Sequence, residues 1–302
     1  MESTVRFIGK IIERYRNVVL VCGALVAGLV VPQFSTYLES AITPLVVFLV
    51  FTSVVGLRPA QISVSSYFSL IVISLGISYV VLPVGGMQVA NTVLTDGAAL
   101  GFAIALSVPT TTGSAIIWTR LSQGDVQLAT TISIVSLLLA PLFTPVVLSQ
   151  LVGSQVTVPV FPILTELVII VGGGVLLAVL VPSRVVHPRL IDSGATAAIL
   201  VLIYTSVAGA ESGMFTGWEL LAIAAVSFGL LGFGLVVSVF CKRGLNLGRN
   251  TAIPLLFTMN LKNLGIALLI AQAYASPLVT LSIITHYVIQ QVSSALLTDR
   301  VL

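Results

Sequence analysis

Apolar residues fill this chain in ten blocks, 17–31, 40–57, 64–86, 97–122, 126–148, 159–181, 193–210, 218–241, 249–275 and 278–297. Short breaks between them collect most of the charges. Most blocks approach or exceed the roughly 20 residues that a helix needs to cross a hydrocarbon core. The first is short and draws on residues from Tyr15 onward. Pro32, Pro59, Pro182 and Pro188 fall at or just past block ends, where a missing amide costs little. The pattern predicts an all-α polytopic membrane protein of ten transmembrane helices.

Two blocks carry polar interruptions. In 97–122, Pro109 follows Val108 and leads into Thr110, Thr111, Thr112, Gly113 and Ser114. The proline removes a backbone donor and the glycine tolerates unusual dihedrals. In 249–275 the interruption runs Asn260, Leu261, Lys262, Asn263, Leu264, Gly265. Two amides and a charge do not belong on a lipid-facing helix, so both blocks read as discontinuous helices whose free backbone groups serve a site near the midplane. Pro109 and Asn260 lie 151 residues apart, half of the 302-residue chain, and each falls in the fourth block of a five-block half. Five spans per half give the halves opposite orientation. The reading is an inverted repeat, with helices 1–5 in 1–150 and helices 6–10 in 151–302.

Charge adds orientation. Of 13 Lys and Arg, twelve lie before the first block or at alternate breaks: Arg6, Lys10, Arg14, Arg16, Arg58, Arg120, Arg184, Arg189, Lys242, Arg243, Arg249 and Arg300. The other breaks hold none, which is the positive-inside pattern with both termini in the cytoplasm. The thirteenth, Lys262, stands inside a predicted span, where a charge is expensive and usually functional. The chain is 57% hydrophobic and 8% charged, which excludes a soluble globular protein, and no basic cluster forms a nucleic-acid-reading face. Cys22 and Cys241 have no ligand-like neighbours, so neither reads as a metal ligand, disulfide partner or nucleophile. The charged start reads as a cytoplasmic lead into the first helix rather than a cleaved signal. Localisation is the cell (cytoplasmic) membrane, multi-pass.

The stretch Pro109 to Asp125, Pro-Thr-Thr-Thr-Gly-Ser-Ala-Ile-Ile-Trp-Thr-Arg-Leu-Ser-Gln-Gly-Asp, is followed by Ser136 to Pro145, Ser-Leu-Leu-Leu-Ala-Pro-Leu-Phe-Thr-Pro. A second signature is Asn263 to Ala267, Asn-Leu-Gly-Ile-Ala, and Thr43 to Gly56, ending near Arg58, forms a third region. Together these resemble the bile acid:sodium symporter family of the wider bile/arsenite/riboflavin transporter superfamily. The resemblance implies a panel domain of helices 1, 2, 6 and 7. It also implies a core domain of helices 3–5 and 8–10, in which broken helices 4 and 9 cross. Sodium would bind behind the crossing and an organic anion between core and panel, with no other cofactor. Family symporters carry Glu-Val-Gly-Met-Gln-Asn on helix 9, whose Glu and Gln contribute to the sodium sites. Anchored on Asn263 and Gly265, the Glu position is Thr258 here and the Gln position is Lys262. An ammonium there repels sodium, so the chain departs from the pattern at the ion site. Related arsenite carriers have a cysteine after the helix 4 proline, where this chain has Thr110.

The polar residues admit more than one role. Lys262 either replaces a bound cation with a tethered one, gives up its proton during turnover, or snorkels to an interface. Asn260 and Asn263 satisfy broken-helix carbonyls or bind a ligand. Thr110, Thr111, Thr112 and Ser114 line an anion site at a half-helix N-terminus, or cap it. Glu166 gates, binds a cation, pairs with a base, or simply sits at the interface. His286 and Gln290 share one face of the last helix, as proton-coupling or as packing residues. Gly172, Gly173, Gly174, Gly229, Gly232 and Gly234 permit close helix approach.

These residues predict secondary active transport of an organic anion, bile-acid-like or a small carboxylate, with sodium or a proton as coupling ion. The alternative is a proton-coupled or uncoupled carrier or exporter without sodium dependence. An ATP-driven pump lacks its P-loop, a channel its continuous polar pore, an enzyme its convergent acid, base or nucleophile, and a sensor its appended domain.

Overall fold

A computed structural model of the chain describes residues 20, 23–24, 26–28, 30–57, 62–153, 157–181, 187–208, 217–274 and 276–301. Arg6, Lys10, Arg14, Arg16, Arg58, Arg184, Cys22 and most of the block 17–31 lie outside them. So do the side chains of Arg189 and Arg300.

Short helical turns from Pro32 to Ala41 lead into α1 (Ile42–Val54). Helix α2 runs from Val64 to Val93 and includes a π-helical segment, Ile77–Val81. The fourth block is two helices, α3 (Asp96–Ser107) and α4 (Thr112–Leu121). Then follow α5 (Val126–Val152), α6 (Val160–Leu180), α7 (Pro188–Ala208) and α8 (Gly217–Gly244). The ninth block is again two helices, α9 (Arg249–Asn260) and α10 (Leu264–Gln272). Helix α11 (Pro277–Val301) closes the chain.

Among the described residues, five helices have both the length and the composition to cross a membrane alone: Pro32–Val54, Val64–Val93, Val126–Val152, Val160–Leu180 and Gly217–Gly244. The protein is therefore an all-α, multi-pass membrane fold. The other predicted blocks differ for physical reasons. Breaks divide the fourth and ninth into helices of 9 to 12 residues. Helix α7 has an apolar stretch of only Ser193–Ala208. Helix α11 carries a polar stripe along its length, described below.

The main core gathers around the half-helices. Every residue from Ala98 to Ser107 of α3 is buried, as is every residue from Leu264 to Ala271 of α10. Helices apolar all round must be surrounded by protein or lipid, and these two are surrounded by protein. Helix α3 packs along α11, and α10 packs on α1, α7 and α11. A second cluster joins α2, α5 and α9 through Ile71, Leu128, Ile132 and Leu255.

Candidate functional site

The first break follows from Pro109. A residue preceding proline is pushed out of the α region, and Val108 is extended at φ −75°, ψ 159°. Thr111 is extended too, before the chain re-enters helix at Thr112. The interruption is thus 108–111, and Gly113 and Ser114 already belong to α4. The second break has no proline. It spans 261–263, with Leu261 and Asn263 extended. Asn263 restarts the helix as its N-cap, its side-chain oxygen accepting from the Ile266 amide at 3.2 Å.

The two extended pieces pair with each other. Thr110 and Lys262 form an isolated antiparallel bridge. The Thr111 amide donates to Leu261 O at 3.1 Å and the Asn263 amide to Pro109 O at 2.9 Å. In this register the backbone groups of Thr110 and Lys262 themselves point away from the pair and need other partners. The Thr110 amide donates to Ser136 Oγ of α5 at 3.0 Å. The Lys262 amide donates to Gln290 Oε1 at 3.3 Å, and Gln290 Nε2 donates to Lys262 O at 3.2 Å. Gln290 therefore takes the place of a third strand. Thr110 Oγ1 donates to Thr258 O, a carbonyl of the last turn of α9, at 2.7 Å. These contacts satisfy groups that would be costly to leave bare at this depth.

The Lys262 side chain, 3% exposed, enters the space beside the bridge. Its ammonium donates to Ser78 O and Ser78 Oγ, both at 2.8 Å, and to Val108 O at 3.3 Å. It also lies 5.1 Å from the centroid of the Tyr79 ring. The Ser78 carbonyl is available because of local sequence. In the π segment the Leu82 amide bonds back to Ile77 O, and the next residue, Pro83, has no amide to give Ser78. The Val108 carbonyl belongs to the first break. The three protons of the ammonium thus meet three neutral oxygens, and no carboxylate is among these partners.

Nine other predicted site residues gather here with Lys262. Thr258 is buried, with its hydroxyl on Pro254 O at 2.8 Å and 3.2 Å from Ser74 Oγ of α2. Asn260 donates from Nδ2 to Leu256 O at 2.7 Å and to Ser238 Oγ of α8 at 3.2 Å. Ser114 accepts from Gln291 Nε2 at 3.2 Å, while Gln291 Oε1 accepts from Trp118 Nε1 at 3.0 Å. Thr110, Thr111, Asn263 and Gln290 make up the bridge and its edges. Thr112 begins α4, buried, and its hydroxyl has no hydrogen-bond partner among the described residues. His286 is 3% exposed, edge-on to Phe102 at 5.5 Å, and lines a small cavity with Asn260, Lys262, Leu106 and Leu230. Glu166 is apart: it is half-buried on α6, which packs mainly on α1 and α5.

Sequence reasoning missed Ser78, Tyr79 and Ser136 as site residues. Serines inside apolar blocks are too ordinary to stand out, and Tyr79 reads as core. One signal was available for α11. His286, Gln290, Ser294 and Thr298 recur every fourth residue and are all buried, with Ser294 Oγ on Gln290 O and Thr298 Oγ1 on Ser294 O. This stripe fixes which face of α11 meets the breaks. Among the described residues, no three His, Cys, Asp or Glu side chains come together as metal ligands would.

The sequence of residues 18–301 matches the SBF-like CPA transporter family, and the chain belongs to it. No curated protein matches the chain.

Proposed function

We propose that this protein is a secondary carrier of an organic anion, bile-acid-like or a small carboxylate, which works by alternating access and needs no sodium at its second break. Ten spans form two inverted five-helix repeats, 1–150 and 151–302, with both termini in the cytoplasm. Spans 1, 2, 6 and 7 make a panel. Spans 3–5 and 8–10 make a core whose broken helices cross at Thr110 and Lys262. The anion lies between panel and core near the N-terminus of α4, where Thr111 has no side-chain cap bond and Gly113 is exposed. Unbonded amides and the positive end of a helix favour a negative group there.

The observation that carries this reading is the shell around the Lys262 ammonium: two backbone carbonyls, one hydroxyl and an aromatic face. Such a set of neutral oxygens would suit a small monovalent cation, and a cation tethered to the chain already fills it. A free sodium at ~4 Å from that ammonium would be repelled by about 4 kcal/mol at an effective dielectric near 20. Thr258, where the resembling symporters have a carboxylate, supplies no offsetting charge.

Purified protein reconstituted in vesicles and given radiolabelled bile acids and short carboxylates tests this. Uptake of at least one anion at equal rates in sodium and choline salts is the expected result. Uptake that requires a sodium gradient would overturn the sodium-independent part. No uptake of any anion, in either salt or in either direction, would overturn the substrate class.

A further inference from the structure

We propose that His286 is the proton partner of Lys262, exchanging its proton through one water molecule in the cavity that the two residues share. This rests on the reading of Lys262 as a tethered cation and names how that cation is discharged. An ammonium without a carboxylate is costly in a low-dielectric interior, and that cost is relieved only when the proton leaves the pair, through the imidazole and the water in the cavity. Lys262 and His286 are each 3% exposed, and the partly open cavity that both line is where water reaches either of them. The described partners of Nζ, two carbonyls and the Ser78 hydroxyl, are neutral oxygens and poor bases.

His286 supplies the missing base. It is equally buried, its Nδ1 has no hydrogen-bond partner among the described residues, and it lines the same cavity. A buried imidazole nitrogen without a partner is unusual and calls for a role. The Phe102 ring packs against the imidazole at 5.5 Å and restrains it. Asn260 lines the same cavity wall. The step balances simply. Nζ releases a proton to the water and keeps the bond pair as its amine lone pair. The water passes one of its protons to the Nδ1 lone pair, giving an amine and an imidazolium. Reversal restores the start.

Other charges stand off. Tyr79 faces Lys262 from α2, with its hydroxyl held by Ser136. Of the elements packed on α11, α10 has no titratable side chain. Of the described side chains on the others, Asp96 of α3, Arg120 of α4, Tyr204 of α7, and Glu219, Cys241, Lys242 and Arg243 of α8 are not among the residues lining the cavity.

The chain has only three lysines, Lys10, Lys242 and Lys262, and two histidines, His187 and His286, so selective labelling resolves each. A variant with Lys10→Arg and Lys242→Arg, carrying nitrogen-15 lysine and histidine, leaves one ammonium signal. The rate at which the Lys262 Nζ protons exchange with water is then read by NMR across pH. With a relay, that rate follows the titration of the His286 ring, and His286→Asn slows it at least tenfold. An unchanged rate in His286→Asn would overturn the relay. If that variant does not fold, the parent decides alone, because a rate rising tenfold per pH unit throughout, with no inflection at the imidazole titration, is hydroxide catalysis and equally overturns it. Exchanging choline for sodium chloride in the same sample tests the underlying reading separately. A sodium-dependent shift of the Lys262 signal would defeat the tethered cation while leaving the exchange result to judge the relay.

Discussion

Thr110 and Lys262, 152 residues apart in the chain, form one antiparallel bridge between two broken helices, and neither residue is exposed. Each break alone would leave backbone groups unpaired in a region without water. Together they satisfy each other, with Ser136 and Gln290 completing the outer edges.

Gln290 is the first place to test that account. Gln290→Leu leaves the Lys262 amide and carbonyl buried without these partners. Each lost partner costs about 1–3 kcal/mol. The variant should unfold at a lower temperature in detergent, by an amount equivalent to about 2 kcal/mol or more. Gln290→Glu keeps the acceptor and loses the donor, so it should fall between. A melting temperature equal to that of the parent would mean that other groups satisfy the break.

Removing the tethered cation should create a need for a free one. In Lys262→Ala the oxygens of Ser78 and Val108 lose their donor, and sodium becomes a substitute. A ligand at 100 times its dissociation constant stabilises by about 2.7 kcal/mol. The variant should therefore melt higher in sodium than in choline chloride, while the parent shows no difference. Equal melting of Lys262→Ala in both salts would count against a cation-shaped shell.

Two glycines on one helix should behave oppositely. A methyl group on Gly234 would collide with the Asn260 side chain, whereas one on Gly229 meets nothing. Gly234→Ala should destabilise by about 1–3 kcal/mol, the usual range for overpacking. Gly229→Ala should be neutral or stabilising by up to about 1 kcal/mol, from helix propensity alone. Thermal unfolding of the pair checks both. Similar losses would remove the contact between α8 and the second break from the explanation.

Asp125 ties three segments at the end of α5. Its carboxylate accepts from the Leu128 amide and from Tyr67 Oη, and its amide donates to Asn250 O, the carbonyl that Pro254 leaves without a helical donor. Asp125→Ala should cost about 1 kcal/mol for the lost cap, and more through Tyr67. Tyr67→Phe alone should cost less. A double variant with additive losses would show that the two contacts act independently.

Orientation is tested by labelling in a background without Cys22 and Cys241. Single cysteines at positions 33, 95, 153 and 213 should react with an impermeant thiol reagent from outside. Those at 60, 186 and 246 should not. The reverse pattern would contradict the alternation of basic residues.

Pro109 and the amides around Lys262 were legible because proline and buried charge are rare in apolar blocks. The breaks came out at 108–111 and 261–263, inside the stretches those residues marked. Gly113 and Ser114 looked like part of the interruption, yet they form the first turn of α4, since glycine and serine are tolerated at helix starts. Glu166 stood out by charge in the same way, but its helix packs elsewhere. Pro83 gave no warning of a π segment, because a proline in a membrane helix has several structural outcomes.

The sequence by itself determined where apolar blocks begin and end, where two of them must break, and on which breaks the positive charges lie. These follow from local rules: chain length against membrane thickness, the missing amide of proline, and the cost of burying charge. Only the tertiary structure decided what the broken backbone pairs with. That choice depends on which distant groups lack a partner at the same depth. Ser78 lacks one through Pro83, Lys262 turns its own amide and carbonyl outward, and the Gln290 side chain is the right length to meet both.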